Sequence, residues 1–128
     1  MDTQRKKILI IDDEVQFGQL LKMNLDGVTE GAMTYEGLVA ANGREGLALI
    51  QRERPDLVLL DMMMPGMNGL ETLKQIKLMS PELPVAMVTA VWNEDEGKRC
   101  FAAGAYEYIT KPVDFEHLKT ALLVKLFS

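Results

Sequence analysis

The run Ile8-Leu9-Ile10-Ile11, cut off by Asp12-Asp13, most narrowly limits what this chain can fold into. Four aliphatic residues in a row, with no polar alternate, read as a strand covered on both faces. Leu57-Val58-Leu59-Leu60, ending at Asp61, repeats the pattern. Such strands need helices above and below their sheet. A helical period over residues 14–25 lets Val15, Leu20, Leu21 and Leu25 share a face. A second, over 43–54, passes through Leu47, Leu49 and Ile50 and stops at Pro55. Residues 68–80, 94–103 (closed by Gly104) and 114–127 also read as helices. Residues 84–89 and 106–110 read as strands, and 35–41 as a weaker one. Residues 26–34 hold two glycines and no clean period and read as a loop, and Pro65-Gly66 marks a turn within 62–67. Three helix starts share a device: Asn42 with Glu45, Asn68 with Glu71, and Asn93 with Glu96 each resemble a capping box. Strand and helix alternate five times. The expected fold is therefore α/β, a doubly wound five-stranded parallel sheet with helices on both faces.

Composition narrows the function. With 128 residues the chain is the length of one domain, expected to span 1–128, and the five units use nearly all of it, so no effector domain is expected in this segment. At 48% hydrophobic it can hold a core, and intrinsic disorder is not expected. Fourteen basic against nineteen acidic residues give a net charge of −5, which supplies no basic stripe for direct nucleic-acid binding or an anionic membrane. No segment reaches the ~18 apolar residues of a membrane span. Cys100 is the only cysteine and forms no intrachain disulfide, which with the absence of a secretory pattern points to a cytoplasmic address. It reads as a small helix-packing hydrophobe.

In an open parallel sheet, ligands bind beyond the carboxyl ends of the strands. There the sequence places Asp12 and Asp13, Asp61, Thr89, and Lys111 followed by Pro112. A carboxylate pair ~4 Å apart costs up to about 4 kcal/mol at an effective dielectric of 20. A hard divalent cation removes that cost, and an oxygen-only set suits Mg²⁺. A lone lysine beside it is a point charge for an anion such as phosphate. Acids at single strand ends are ordinary helix caps; five polar residues at four strand ends are not explained that way.

These residues, Asp12-Asp13, Asp61, Thr89-Ala90 and Lys111-Pro112, with the loop Met62-Met63-Met64-Pro65-Gly66-Met67-Asn68-Gly69, resemble the receiver domain of two-component response regulators along essentially the whole chain. The resemblance implies a flavodoxin-like fold with strand order 2-1-3-4-5. It implies that Asp61 accepts a phosphoryl group from a phosphohistidine on a sensor kinase or phosphotransfer protein. Mg²⁺ would be held by Asp13 and Asp61, by Asp12 mainly through water, and by the backbone carbonyl of Met63. Lys111, before a cis proline, would pair with the phosphoryl oxygens, and Thr89 would hydrogen-bond them. Tyr108 matches an aromatic whose inward or outward rotamer accompanies activation. The surface of the fourth helix, fifth strand and fifth helix would then change for an effector protein, an appended domain or a second copy.

Other residues carry plainer readings. His117 lies on the last helix, remote from the strand ends, and reads as a surface or capping residue rather than a phosphoryl donor. Trp92 is a loop anchor or a reporter of the pocket. Val113 stands where the family commonly has an aromatic. Met62, Met63, Met64 and Met67 are packing residues, since thioether sulfur does not suit a hard cation. Met63 and Val91 occupy the two positions that tune phosphoryl lifetime in the family; both are apolar, which predicts a long-lived phospho-form. A Mg²⁺-dependent phosphatase or phosphotransferase of similar fold is the enzymatic rival, but Met63 stands where many of those carry a second acid. A nucleotide or flavin module lacks its glycine-rich turn, because Asp12-Asp13-Glu14 follows the first strand. A degenerate receiver, acting as a constitutive interaction module, is the remaining alternative.

Overall fold

The computed structural model describes residues 4–64 and 66–126. Eleven elements follow one another along the described residues: β1 (Gln4–Ile11), α1 (Val15–Leu25), β2 (Thr29–Glu30), β3 (Met33–Ala40), α2 (Gly43–Glu53), β4 (Leu57–Asp61), α3 (Gly69–Met79), β5 (Val85–Thr89), α4 (Glu94–Ala102), β6 (Glu107–Thr110) and α5 (Phe115–Leu126). The sheet order is β2-β3-β1-β4-β5-β6. All pairings are parallel except β2 with β3. Without β2 the order is the expected 2-1-3-4-5. Pro65 of the expected turn and Phe127 of the expected last helix lie outside the described residues.

Side-chain alternation along the strands splits the interior into two cores. Leu9, Ile11, Val58, Leu60, Val85 and Met87 face α2, α3 and α4. Ile8, Ile10, Leu57, Leu59, Ala86 and Val88 face α1 and α5. Every residue of β4 and β5 is buried, as a strand between two helical layers requires.

The structure corrects the sequence reading in three places. Residues 26–34 are not all loop: Thr29–Glu30 pairs antiparallel with Met33 and Thr34, and β3 begins earlier than expected. The buried face of α1 holds Gly18, Leu21 and Leu25, with Phe17 packed beside them, while Val15 and Leu20 are exposed. The spacing 17, 18, 21, 25 follows one helical stripe more closely than the expected set does. The capping device is half realised. Asn42, Asn68 and Asn93 each accept from the amide three residues on, at 2.8, 2.9 and 2.9 Å. Glu96, however, directs its carboxylate to Tyr108.

Two close approaches fix the ends of the sheet. Gly37 of β3 donates to Asp26 Oδ1 at 2.7 Å, and its carbonyl accepts from Lys22 Nζ at 2.8 Å. Gly69 opens α3 directly behind the end of β4 and donates to the Met62 carbonyl at 2.9 Å. A Cβ on Gly69 would collide with the carbonyl oxygen of Asp61 and the Cα of Met62. Backbone cannot yield as a flexible side chain can. Gly69→Ala is therefore expected to destabilise the fold by roughly 2 kcal/mol, although alanine is the better helix former. Urea unfolding measures this; an equal or higher stability would refute the tight approach.

Candidate functional site

The carboxyl ends of β1, β4, β5 and β6 bring Asp12, Asp13, Asp61, Thr89 and Lys111 to one edge of the sheet. Asp12 and Asp61 are buried, at 1% and 4% exposure, while Asp13 is exposed. One oxygen from each of the three lies within 4.8 Å of the others. Such a set is unstable when fully ionised without a counter-charge. Burial and the neighbouring Asp12 charge push Asp61 up to about 7, against the opposing pull of Lys111 and the Met63 amide. That amide donates to Asp61 Oδ1 at 3.4 Å.

Asp12 divides its two oxygens. Oδ1 accepts from the Glu14 amide at 2.8 Å, closing a turn ahead of α1. Oδ2 faces Lys111 Nζ at 2.9 Å, in an ion pair whose geometry is not that of a hydrogen bond. This buried oxygen has an ionic partner but no hydrogen bond. Three convergent carboxylates, one with a buried oxygen lacking a hydrogen-bond donor, fit a hard divalent cation.

Lys111 is committed to α1 in this state. Its Nζ donates to Glu14 Oε1 at 2.6 Å and lies 4.2 Å from the centroid of the Phe17 ring. Burial pulls the ammonium down, but the facing carboxylates of Asp12 and Glu14 outweigh it and hold the group above its ordinary range. The Lys111–Pro112 bond is cis. Thr89 is buried, and its Oγ1 donates to the Val91 carbonyl at 3.4 Å. Tyr108 is buried on β6, and its hydroxyl donates to Glu96 Oε1 at 2.7 Å. Burial, then the facing Glu96 carboxylate, raise its phenol to about 12.

Glu14, Phe17 and Glu96 escape a reading of the sequence as site residues. Glu14 and Phe17 are three apart, so one helical turn aims both at the same neighbour. The acidic triplet 12–14 was the available signal. Met63 and Val91 are exposed beside the pocket, at 67% and 70%. His117 is exposed on α5, away from these groups. Cys100 is buried, its Sγ 3.6 Å from Met62 Sδ. A wide cleft of about 610 Å³, lined in part by Arg54, Asp56, Ser80 and Glu82, opens at the opposite end of the strands and contains none of the clustered acids. Among the described residues no helix is long and apolar enough to cross a membrane.

The model of the response regulator receiver domain matches residues 8–123. The chain belongs to this family. The receiver is 38% identical over 117 residues to sporulation initiation phosphotransferase F of Bacillus subtilis, covering 91% of the chain and 90% of that protein. It is 37% identical over 122 residues to response regulator protein PilR of Pseudomonas aeruginosa, covering 95% of the chain but 26% of that protein. Its fold is similar to that of the chemotaxis protein CheY4 of Vibrio cholerae, with a TM-score of 0.83, 31% identity, and 94% and 98% coverage of the two chains. The chain is thus a receiver domain of two-component response regulators, a signalling domain whose acidic cluster can hold a metal ion.

Electrostatics of this site have two measurable consequences. Asp61 is protonated more readily folded than unfolded, so its contribution to stability is complete below about pH 4 and is lost as pH rises through 7. Asp61→Asn is expected to melt above the parent protein in chelator at pH 8, by a smaller margin at pH 5. Thermal melts at the two pH values check this; equal margins would contradict it. Mg²⁺ at a hundredfold excess over its dissociation constant should stabilise the parent by about 2.7 kcal/mol. Asp13→Ala should blunt that gain, and a melting temperature flat across a Mg²⁺ titration would rule it out.

Proposed function

We propose that this chain is a phosphoacceptor switch, taking one phosphoryl group on Asp61 from a phosphohistidine of a sensor kinase or phosphotransfer protein. One observation carries the reading: Asp61 sits buried at a strand end with two further carboxylates and the ammonium of Lys111 around it. A carboxylate oxygen of Asp61 attacks phosphorus in line, the P–N bond to the donor imidazole breaks, and an acyl phosphate remains on Asp61. Asp12, Asp13, Asp61 and the Met63 carbonyl would hold Mg²⁺. When bound, the ion neutralises the oxygens of the phosphoryl group in transfer.

Lys111 has the companion role. Its bond to Glu14 is solvent-facing, so it is exchangeable for a phosphoryl oxygen at small cost. Phe17 keeps the ammonium close to the pocket during that exchange. Thr89 would leave the Val91 carbonyl for the phosphoryl group. Tyr108 would respond, and the surface of α4, β6 and α5 would be presented differently to an effector protein, an appended domain or a second copy. The whole of 1–128 would act as this one unit, working in the cytoplasm. The chain accepts one group per molecule rather than turning over substrate, in keeping with Met63 where a second catalytic acid would be needed.

Incubation with a small acyl-phosphate donor and Mg²⁺, followed by intact mass, tests the reading. One phosphoryl group is expected, absent from Asp61→Ala. Turnover of many donor equivalents would replace it with the enzymatic reading. Because Met63 and Val91 offer no polar group to orient water, the phospho-form should outlive that of a variant carrying Met63→Asn and Val91→Gln. Equal decay rates by mass would count against this. Phe17→Leu, which keeps the packing and loses the ring, should slow phosphorylation about threefold, in line with ~0.5–1 kcal/mol for an accessible cation–π contact.

A further inference from the structure

Burial sorts the sulfur atoms of this chain, which carries nine methionines and one cysteine. Met33, Met62, Met64 and Met87 are buried. Cys100 is buried as well, and burial pushes its thiol up, away from the reactive thiolate form. Met23 and Met63 stand in solvent, at 73% and 67% exposure. Met23 lies in the last turn of α1, whereas Asp12 and Asp13 precede its first. Met63 follows Asp61 by two residues, and its amide donates to Asp61 Oδ1 at 3.4 Å. The N–Cα bond adds ~1.46 Å, so the Met63 Cα lies within about 5 Å of that oxygen. Its flanking methionines are shielded, and Met67, further along the loop, is half-buried. Among the described residues, Met63 is thus the exposed thioether beside the acid cluster.

We propose that Met63 is an oxidation site through which peroxide tightens the hold of the acid cluster on Mg²⁺. The inference rests on the reading of Asp12, Asp13 and Asp61 as a Mg²⁺ site. The sulfur lone pair attacks one oxygen of hydrogen peroxide and the O–O bond breaks. The other oxygen takes up the protons and leaves as water, so sulfur loses two electrons and the peroxide gains them. A thioether is a soft donor that does not suit a hard ion, whereas a sulfoxide presents a hard, polar oxygen. Mg²⁺ keeps several of its waters, and each is a hydrogen-bond donor. The new oxygen at the rim accepts from one of them, a bond made only when the ion is present. Such a bond corresponds to about a three- to tenfold change in dissociation constant. Since Met63 is exposed, its polar product disturbs the fold little. The same oxidation at Met62 or Met64 would place a sulfoxide in the core. The response to peroxide is therefore directed to the pocket by burial of the sulfurs around it.

Brief treatment with dilute hydrogen peroxide, read by peptide mass, should add one oxygen to Met63 and to Met23 before any buried methionine. Amide NMR then follows Mg²⁺ titrations of the protein before and after oxidation. The dissociation constant should fall about three- to tenfold on oxidation. Met23→Leu should keep that response, and Met63→Leu should lose it. Met63→Gln, which carries a hard amide oxygen, should bind Mg²⁺ more tightly than Met63→Leu without peroxide. Methionine sulfoxide reductases should return the oxidised protein to its starting affinity. Survival of Met63 while Met23 oxidises, an unchanged constant once Met63 is oxidised, or an equal response in Met63→Leu would each overturn the proposal. No readout needs a phosphoryl group, so a chain that fails to accept one leaves this result standing. A parent protein that binds no Mg²⁺ refutes the metal reading and this inference with it. An unmoved affinity in a parent that does bind the ion refutes the inference alone.

Discussion

Three carboxylates held at the ends of two adjacent buried strands repel one another, and the surrounding structure is arranged to keep them there. β1 and β4 are neighbours in the sheet, so Asp12 and Asp61 cannot separate without breaking the ladder between Ile11 and Leu60. Gly69 presses on the carbonyl of Asp61 from behind, which leaves that strand end no room to relax. Burial of the β4 and β5 side chains on both faces supplies the stabilisation that this strained charge pattern draws on. The unfavourable charge is the reason the pocket responds to ligands at all. A site already neutral would gain little from a cation.

Lys111 relieves part of the repulsion, and does so with partners that a phosphoryl group can displace. Its contact with Asp12 is buried and ionic, whereas its contact with Glu14 lies at the rim. The lysine can therefore turn inward without leaving an unpaired charge in the interior, which would cost several kcal/mol. Glu14 remains in water and tolerates the loss. A deeply buried second partner would have locked the lysine away from its task.

Much of this was legible in the sequence because burial leaves a periodic trace. Ile8 to Ile11 and Leu57 to Leu60 could be read as two-sided strands, and the polar residues that end the strands then fell together by topology alone. What escaped depends on contacts between distant elements. Glu14 and Lys111 are 97 residues apart, and no local pattern pairs them. β2 is two residues long, too short for any alternation to register. On α1, aliphatic character misled: Val15 and Leu20 are apolar but exposed, and the true stripe includes a glycine. The Asn93–Glu96 spacing does mark a helix start, yet the glutamate's carboxylate bonds Tyr108 across the fold.

The treatment of β3 and β6 has a consequence for how the molecule associates. Along β3, Gly37 has both backbone groups occupied by Asp26 and Lys22, and β2 covers Met33 and Thr34. Along β6, the amide of Tyr108 donates to the Glu107 side chain at 3.1 Å. These particular backbone groups, which could otherwise template an incoming strand, are already taken. Recognition is thereby shifted from main chain, which every protein shares, to side chains on helices and loops, which each chain can vary. In a cell holding many copies of one sheet architecture, that shift lets related molecules remain separate while their strands stay nearly interchangeable.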